Sequence, residues 1–166
     1  MEIFFSYFNS PIGILEIAAS KHAVQSIRFV EVRNVASINP PKILSDCIVQ
    51  LEEYFSGKRK DFTVNTEQSG TDFQKLVWKK LHEIPFGKTI SYIEIARLLG
   101  DEKSTRAVGS ANGKNKIPII IPCHRVIGAN DSLVGYAGGL WRKQWLLDHE
   151  KKYAYGIQKL FAINAE

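Results

Sequence analysis

Residues 91–113 read SYIEIARLLGDEKSTRAVGSANG, and this stretch decides the architecture of the C-terminal half. Ser91-Tyr92-Ile93-Glu94 is a capping box, in which the serine hydroxyl caps the N3 amide and the glutamate reaches back to the serine amide. Ile95, Leu98 and Leu99 follow at helical spacing, and Gly100 ends the helix. After a short turn another helix is expected over about residues 103–112, with Thr105, Arg106, Ala107, Val108, Gly109, Ser110 and Ala111, closed by Asn112-Gly113. A helix, a turn at glycine and a short helix opening on basic and hydroxyl residues is helix-turn-helix grammar. The small residues flanking Arg106 let a backbone approach another surface closely. Tight helix packing inside the protein accounts for them equally well.

Upstream, Thr71-Asp72-Phe73-Gln74 is a second capping box, preceding Leu76, Val77, Leu81 and Ile84, with Pro85-Phe86-Gly87 separating the two helices. The polar stretch TVNTEQSGT (63–71) marks a domain boundary, giving an N-terminal domain over 1–66 and a C-terminal domain over 67–166. Residues 1–32 read as β-structure. Ile3 to Phe8 is rich in aromatics, and Asn9 to Gly13 is a turn cluster. Leu15, Ile17 and Ala19 alternate with Glu16, and Ser26 to Phe29 alternates again. Pro40-Pro41 then introduces an amphipathic helix from Lys42 to Phe55, which ends at Gly57. Cys47 lies on its apolar stripe and reads as a buried structural thiol.

Downstream, IPIIIPCHRVI (117–127) is an apolar run bracketed by Pro118 and Pro122. It is too short for a helix and reads as a buried extended segment that delivers Cys123 and His124 to its end. Gly128 to Gly139 is a glycine-rich loop, and Leu140 to Lys152 closes as a helix. Cys123-His124 is the sharpest chemical constellation. A thiolate is the nucleophile, and a free thiol with a pKa of about 8.5 is only slightly ionised at neutral pH, so a neighbouring imidazole can withdraw its proton. A carboxylate behind the histidine would fix its tautomer, and Glu150 and Asp148 are candidates. The plainer reading is a small buried cysteine after an apolar run. Cys123, His124, His149 and His22 have no metal-ligand spacing, so no metal is expected.

The chain has 166 residues, 45% apolar and 23% charged, an ordinary globular balance that argues against long disorder. No apolar run approaches the roughly 20 residues needed to span a bilayer. The N-terminus lacks a basic region followed by a cleavage site, so a signal peptide is not expected. Two cysteines cannot build a disulfide framework, and a reducing, intracellular compartment is the default. The formal charge is +5. Residues 1–66 are neutral, with seven basic and seven acidic side chains, so the whole surplus lies in 67–166. Residues 103–130 carry Lys103, Arg106, Lys114, Lys116 and Arg125 without a carboxylate. That suits a polyanion such as nucleic acid, or simply a solvated face.

Ile121-Pro122-Cys123-His124-Arg125-Val126 resembles the active-site motif of the O6-alkylguanine-DNA alkyltransferases, the methylated-DNA–protein-cysteine methyltransferases. The resemblance extends in order through PFGKTISY (85–92), TRAVGSANGKN (105–115), GYAGGL (135–140) and LLDHE (146–150), and QLEEYFSGKRKDF (50–62) is also similar. It implies an α/β protein with an N-terminal ribonuclease-H-like β-rich domain and a C-terminal helical domain carrying the helix-turn-helix. Cys123 would accept the alkyl group, His124 would take the thiol proton through a bound water, Glu150 would orient His124, and Asn115 would brace the active-site turn. Tyr92 would help rotate the nucleotide out and supply a proton as guanine leaves. Arg106 would fill the gap in the base stack from a helix, with Thr105, Ala107 and Gly109, that enters the minor groove. Pro118, Val126, Tyr136, Ala137 and Gly138 would shape the guanine pocket.

The implied activity is direct, stoichiometric dealkylation of O6-alkylguanine, with O4-alkylthymine as a further lesion, in double-stranded DNA. The base must be flipped out of the duplex to react. A thioether offers water no carbonyl to attack, so the protein acts once. No cofactor or membrane is involved, and a monomer in the cytoplasm, or in the nucleus of a eukaryote, is expected. Some relatives have serine where Ala137 stands, and some carry zinc in the N-terminal domain, which Cys47 alone cannot reproduce. The rival readings are a lesion-binding protein that does not transfer the alkyl group, which Cys123 argues against, and a cysteine hydrolase.

Overall fold

The computed structural model of the chain describes residues 1–155, and the end of the expected C-terminal domain, 156–166, lies outside the described residues. The chain divides into two units, one built from Met1–Asp72 with Lys114–Ile121, the other from Phe73–Gly113 with the chain from Pro122 on.

The first unit holds a three-stranded antiparallel sheet in the order β1-β2-β3, with β1 Phe4–Ser10, β2 Gly13–Ala19 and β3 Val24–Val30. Gly13, at φ 116°, makes the tight turn between β1 and β2, and the Ser10 hydroxyl donates to its carbonyl at 2.7 Å. α1, Lys42–Phe55, packs on this sheet through Leu44, Cys47, Leu51 and Tyr54, the apolar stripe legible in the sequence. Each fully buried aliphatic side chain there contributes about 1.5–3 kcal/mol relative to exposure. Burial pushes the Cys47 thiol up to about 12, as befits a structural cysteine.

Glu16 departs from the simple alternation expected for β2, because its side of the strand is covered too and it is only 8% exposed. The register sets Tyr7 and Arg28 opposite it on the flanking strands. The Tyr7 hydroxyl donates to Glu16 Oε2 at 2.8 Å and Arg28 Nη1 donates to Oε1 at 3.3 Å, which makes the partial burial tolerable. Within the polar stretch 63–71, Thr66 pairs with Val24 in a parallel bridge.

The remaining piece of this unit, 114–121, corrects one expectation. Residues 117–121 are buried, but they form a compact turn and are not extended. Ile121 N donates to Ile117 O at 3.0 Å, and Ile119 takes φ 75°, a left-handed conformation rare for a β-branched residue. Asn115 explains how the turn persists. Its Nδ2 donates to Ile121 O at 2.9 Å, and its Oδ1 accepts from Ile117 N at 3.1 Å and from Gln68 Nε2 at 2.8 Å.

The second unit contains α2 Asp72–His82, β4 Ile90–Ser91, α3 Tyr92–Leu98, α4 Thr105–Gly113, β5 Val126–Ile127 and α5 Leu140–Tyr155. The Ser91 capping box forms as expected, with Glu94 N donating to Ser91 Oγ at 3.2 Å and Ser91 N donating to Glu94 Oε2 at 3.3 Å. Gly100, at φ 93°, ends the turn after α3, and a 3-10 turn over Glu102–Ser104 leads into α4. Helix, turn and helix thus follow the expected order, and α3 packs on α4. The Trp78 indole donates to Ala111 O at 2.9 Å and ties α2 to α4. Among the described residues no helix is long and apolar enough to cross a membrane.

Candidate active site

Cys123, His124 and Arg125 form a single 3-10 turn between Pro122 and β5, so both reactive side chains sit on a tight bend and not at the end of a strand. Two features fix this turn within its unit. β5 pairs in parallel with β4, Ile90 opposite Val126 and Ser91 opposite Ile127, which brings the first residue of α3, Tyr92, alongside the turn. Asn112 of α4 donates through Nδ2 to the Cys123 carbonyl at 3.4 Å. The helix that would meet DNA is therefore hydrogen-bonded to the residue that would react.

Of the two candidate carboxylates, Glu150 stands behind the histidine. His124 Nε2 lies 2.7 Å from Glu150 Oε2, and both side chains are buried. Asp148 is exposed and accepts from Gln144 at 2.8 Å. Glu150 also receives Arg125 Nε at 2.8 Å, Arg125 Nη2 at 3.0 Å and Gly87 N at 3.2 Å. Burial alone would raise the Glu150 carboxyl, but the His124 and Arg125 contacts outweigh it and hold it well below the usual carboxylate range. An ionised Glu150 can only accept, so the proton in this contact belongs to His124 Nε2. His124 Nδ1 then carries a lone pair, and it is buried without a hydrogen-bond partner among the described residues. Burial pushes the imidazole pKa down against the pull of Glu150, and the charges of Arg125 and Lys143 add to the fall. The result is a neutral base with one free nitrogen beside a cysteine.

Arg125 therefore does not belong to an outward basic face, although it lies in the carboxylate-free stretch. It is 5% exposed, and its charge is spent internally. Lys143 on α5 was not singled out in the sequence, and it is fully buried. Its Nζ donates to Val134 O at 2.7 Å and to Gly135 O at 3.2 Å, anchoring the loop that precedes Tyr136, Ala137 and Gly138. Burial brings its pKa down to about 8, while the charge of Cys123 resists the fall. Lys143, Leu146 and Glu150 occupy one buried stripe of α5 at spacings of three and four. Polar residues at core positions of an otherwise apolar stripe were the available signal.

Tyr92 bridges the pieces. Its hydroxyl donates to Val134 O at 3.2 Å, and a Cβ on Gly109 would lie 3.8 Å from its ring. Burial raises its phenol and the charge of Cys123 raises it further, so the group stays protonated at neutral pH. Tyr136 is raised well above its ordinary value for the same two reasons, and Val126 is buried. Ala137 is exposed and Gly138 half-buried. Asn115 and Pro118, assigned to the site by resemblance, are both buried and lie in the 114–121 segment of the first unit. On α4, Arg106 and Ala107 are exposed, Thr105 and Gly109 are half-buried, and Val108, Ala111 and Asn112 face inward. The side of α4 carrying Arg106, Ala107 and Ser110 thus faces solvent, so internal packing does not account for the small residues there.

The family described as 6-O-methylguanine DNA methyltransferase, DNA binding domain, matches residues 72–152, and its companion ribonuclease-like domain matches 3–68. A Mycobacterium bovis protein named methylated-DNA–protein-cysteine methyltransferase is 44% identical over 163 residues, covering 96% of this chain and 99% of its own. A Methanosarcina acetivorans protein of the same name is 42% identical over 153 residues, covering 89% and 98%. The crystal structure of Mycobacterium tuberculosis O6-methylguanine methyltransferase superposes with a TM-score of 0.83 at 42% identity, over 96% of this chain and 99% of that one. The Mycobacterium tuberculosis OGT in complex with DNA gives 0.81 at 43% identity, over 90% and 93%. The chain belongs to the family of methylated-DNA–protein-cysteine methyltransferases.

Proposed function

We propose that Cys123 is the single-use acceptor of an alkyl group from O6-alkylguanine in double-stranded DNA. The observation that carries this reading is the buried Cys123-His124 turn backed by Glu150 at 2.7 Å. His124 Nδ1 takes the thiol proton through a bound water. The sulfur attacks the alkyl carbon, a C–S bond forms as the C–O bond breaks, and guanine leaves with the bonding electrons. The protonated phenol of Tyr92 is suited to neutralise the departing base. The product is a thioether, which has no hydrolytic exit, so each molecule reacts once.

The lesion lies inside the duplex, so the nucleotide is flipped out to react, and Val126, Tyr136, Ala137 and Gly138 shape its pocket. The exposed Arg106 occupies the vacated stack, and α4 lies in the minor groove, where Thr105, Ala107 and Gly109 permit close approach. The protein acts as a monomer inside the cell. The domain boundary near residue 66 and the bracing of the 117–121 turn by Asn115 belong to the same reading, and O4-alkylthymine in duplex DNA is the second lesion to be tried in the assay below.

Incubation with duplex DNA carrying O6-methylguanine is expected to add about 14 Da, one methylene, to Cys123 and nothing to Cys47. Cys123→Ala is expected to bind the lesion and transfer nothing. Unmodified protein beside persisting lesion would overturn the proposal.

A further inference from the structure

In the buried centre the Glu150 carboxylate is contacted by two groups that can carry its countercharge, Arg125 and His124. Arg125 holds Glu150 through both oxygens, Nε to Oε1 at 2.8 Å and Nη2 to Oε2 at 3.0 Å. Its third nitrogen, Nη1, donates to Ile84 O at 2.6 Å, and the guanidinium carbon lies 5.8 Å from the centre of the Phe86 ring. The head group is thus fixed from the Pro85 turn as well as from α5. His124 shares Oε2 at 2.7 Å. A carboxylate with a bidentate arginine is locally neutral, so a proton on His124 would add a net positive charge inside the protein, where charge is costly. The other charged groups about His124 reinforce this. Lys143 from α5 is a cation and opposes another, while Tyr92 and Tyr136, whose phenols are raised by burial and by the charge of Cys123, stay neutral.

We infer that Arg125 is a positioning residue of alkyl transfer: its bidentate grip on Glu150 holds His124 neutral with the proton on Nε2, which leaves Nδ1 to receive the thiol proton. The inference rests on the reading of Cys123 as the alkyl acceptor. Without the guanidinium, Glu150 is a buried anion, and His124, at 2.7 Å, is placed to supply positive charge to it across a short hydrogen bond. The imidazole then binds a proton from solvent, both ring nitrogens become donors, and nothing in the turn accepts the thiol proton until the pH is raised.

The experiment is the single-turnover rate of transfer from O6-methylguanine duplex DNA to the full-length chain between about pH 5.5 and 9, for the wild type, Arg125→Met and Arg125→Lys. An opposite charge at contact distance shifts a pKa by about 1–3 units, so Arg125→Met is expected to move the acid limb of the profile up by about that much. Arg125→Lys keeps the cation and is expected to keep its limb close to that of the wild type. A purely structural arginine would lower the rate at every pH and leave the limb in place, and that result overturns the inference. A wild type that transfers at no pH overturns the acceptor reading instead. The imidazole nitrogen shifts of wild-type His124 at pH 7 provide a test independent of whether Arg125→Met folds. They are expected to report a neutral ring protonated on Nε2, and a charged ring or a proton on Nδ1 overturns the inference.

Discussion

Tyr92 and Lys143 donate to the same oxygen, the carbonyl of Val134, at 3.2 and 2.7 Å. A side chain at the start of α3 and a lysine buried in the last described helix thus hold one point of the loop ahead of Tyr136, Ala137 and Gly138. Lys143→Met keeps the packing and removes the donor, leaving the Val134 and Gly135 carbonyls short of a partner. The expected cost is about 1–3 kcal/mol in stability, with a slower transfer to Cys123. Tyr92→Phe removes the longer bond and costs less. Because the two side chains share an acceptor, their effects are expected to be non-additive in a double-mutant cycle read by thermal melting and transfer rate.

Gly109→Ala separates the two accounts of the small residues on α4. The added Cβ would stand 3.8 Å from the Tyr92 ring, ordinary contact, and alanine favours a helix by about 0.5–1 kcal/mol over glycine. The melt is therefore expected to be unchanged or higher, while affinity for duplex DNA falls because the backbone can no longer approach as closely. Arg106→Ala is expected to leave transfer from free O6-benzylguanine intact and to lower transfer from DNA. Equal loss on both substrates would count against its role in the stack.

Acid stability follows from the signs of the shifts at His124 and Glu150. His124 is held below its ordinary value in the fold, so between its folded pKa and the unfolded value of about 6.5 the unfolded chain binds more protons, and stability falls as pH drops below about 6.5. Glu150 is held low as well, so its stabilisation is complete above its unfolded value of about 4.3 and is lost as pH falls further, towards its folded pKa. The melting temperature is therefore expected to decline in two stages. His82, also lowered by burial, contributes to the first stage, so the share of His124 is the difference between wild type and His124→Phe. Glu150→Gln is expected to remove the second stage.

Gly87 turns the chain at φ 79° between α2 and β4, and its amide donates to Glu150. A Cβ there would come within 2.5 Å of the Ala154 Cβ on α5. Gly87→Ala is expected to cost more than about 1 kcal/mol, through the left-handed backbone and the clash together, and to slow transfer by disturbing Glu150. Denaturant unfolding and the transfer rate report the two effects separately.

The elements with strong periodicity were legible from residue order alone. The apolar stripe of 42–55, the capping box at Ser91 and the alternation in 14–19 each encode a local preference that packing then reinforces. The turn over 117–121 was not legible, because isoleucines between prolines favour an extended chain, whereas the neighbouring Asn115, held by the sequence-distant Gln68, imposes a turn. The Cys123-His124 pair, as a constellation, could be read from its residue types. The choice of Glu150 over Asp148, and the burial of Lys143, depend on which face of α5 turns inward. The large apolar Trp141 and Trp145, four residues apart on one side of the helix, are not on the stripe of Lys143, Leu146 and Glu150 that is buried, so hydrophobicity does not announce that face. The basic surplus divides as well, since Arg125 is internal while Lys103, Arg106, Lys114 and Lys116 remain exposed.

Cys123 is 6% exposed. A catalyst that turns over tolerates stray chemistry at its nucleophile, because the occasional spoiled encounter is diluted among many productive ones. A reagent consumed by its first reaction has no such dilution, and every molecule lost to a cellular electrophile or oxidant is one lesion left in place. Oxidation and adventitious alkylation of a thiol follow its accessibility. The depth of Cys123 is therefore a shelf-life device: it keeps the protein unspent until a substrate arrives that can be threaded into the pocket.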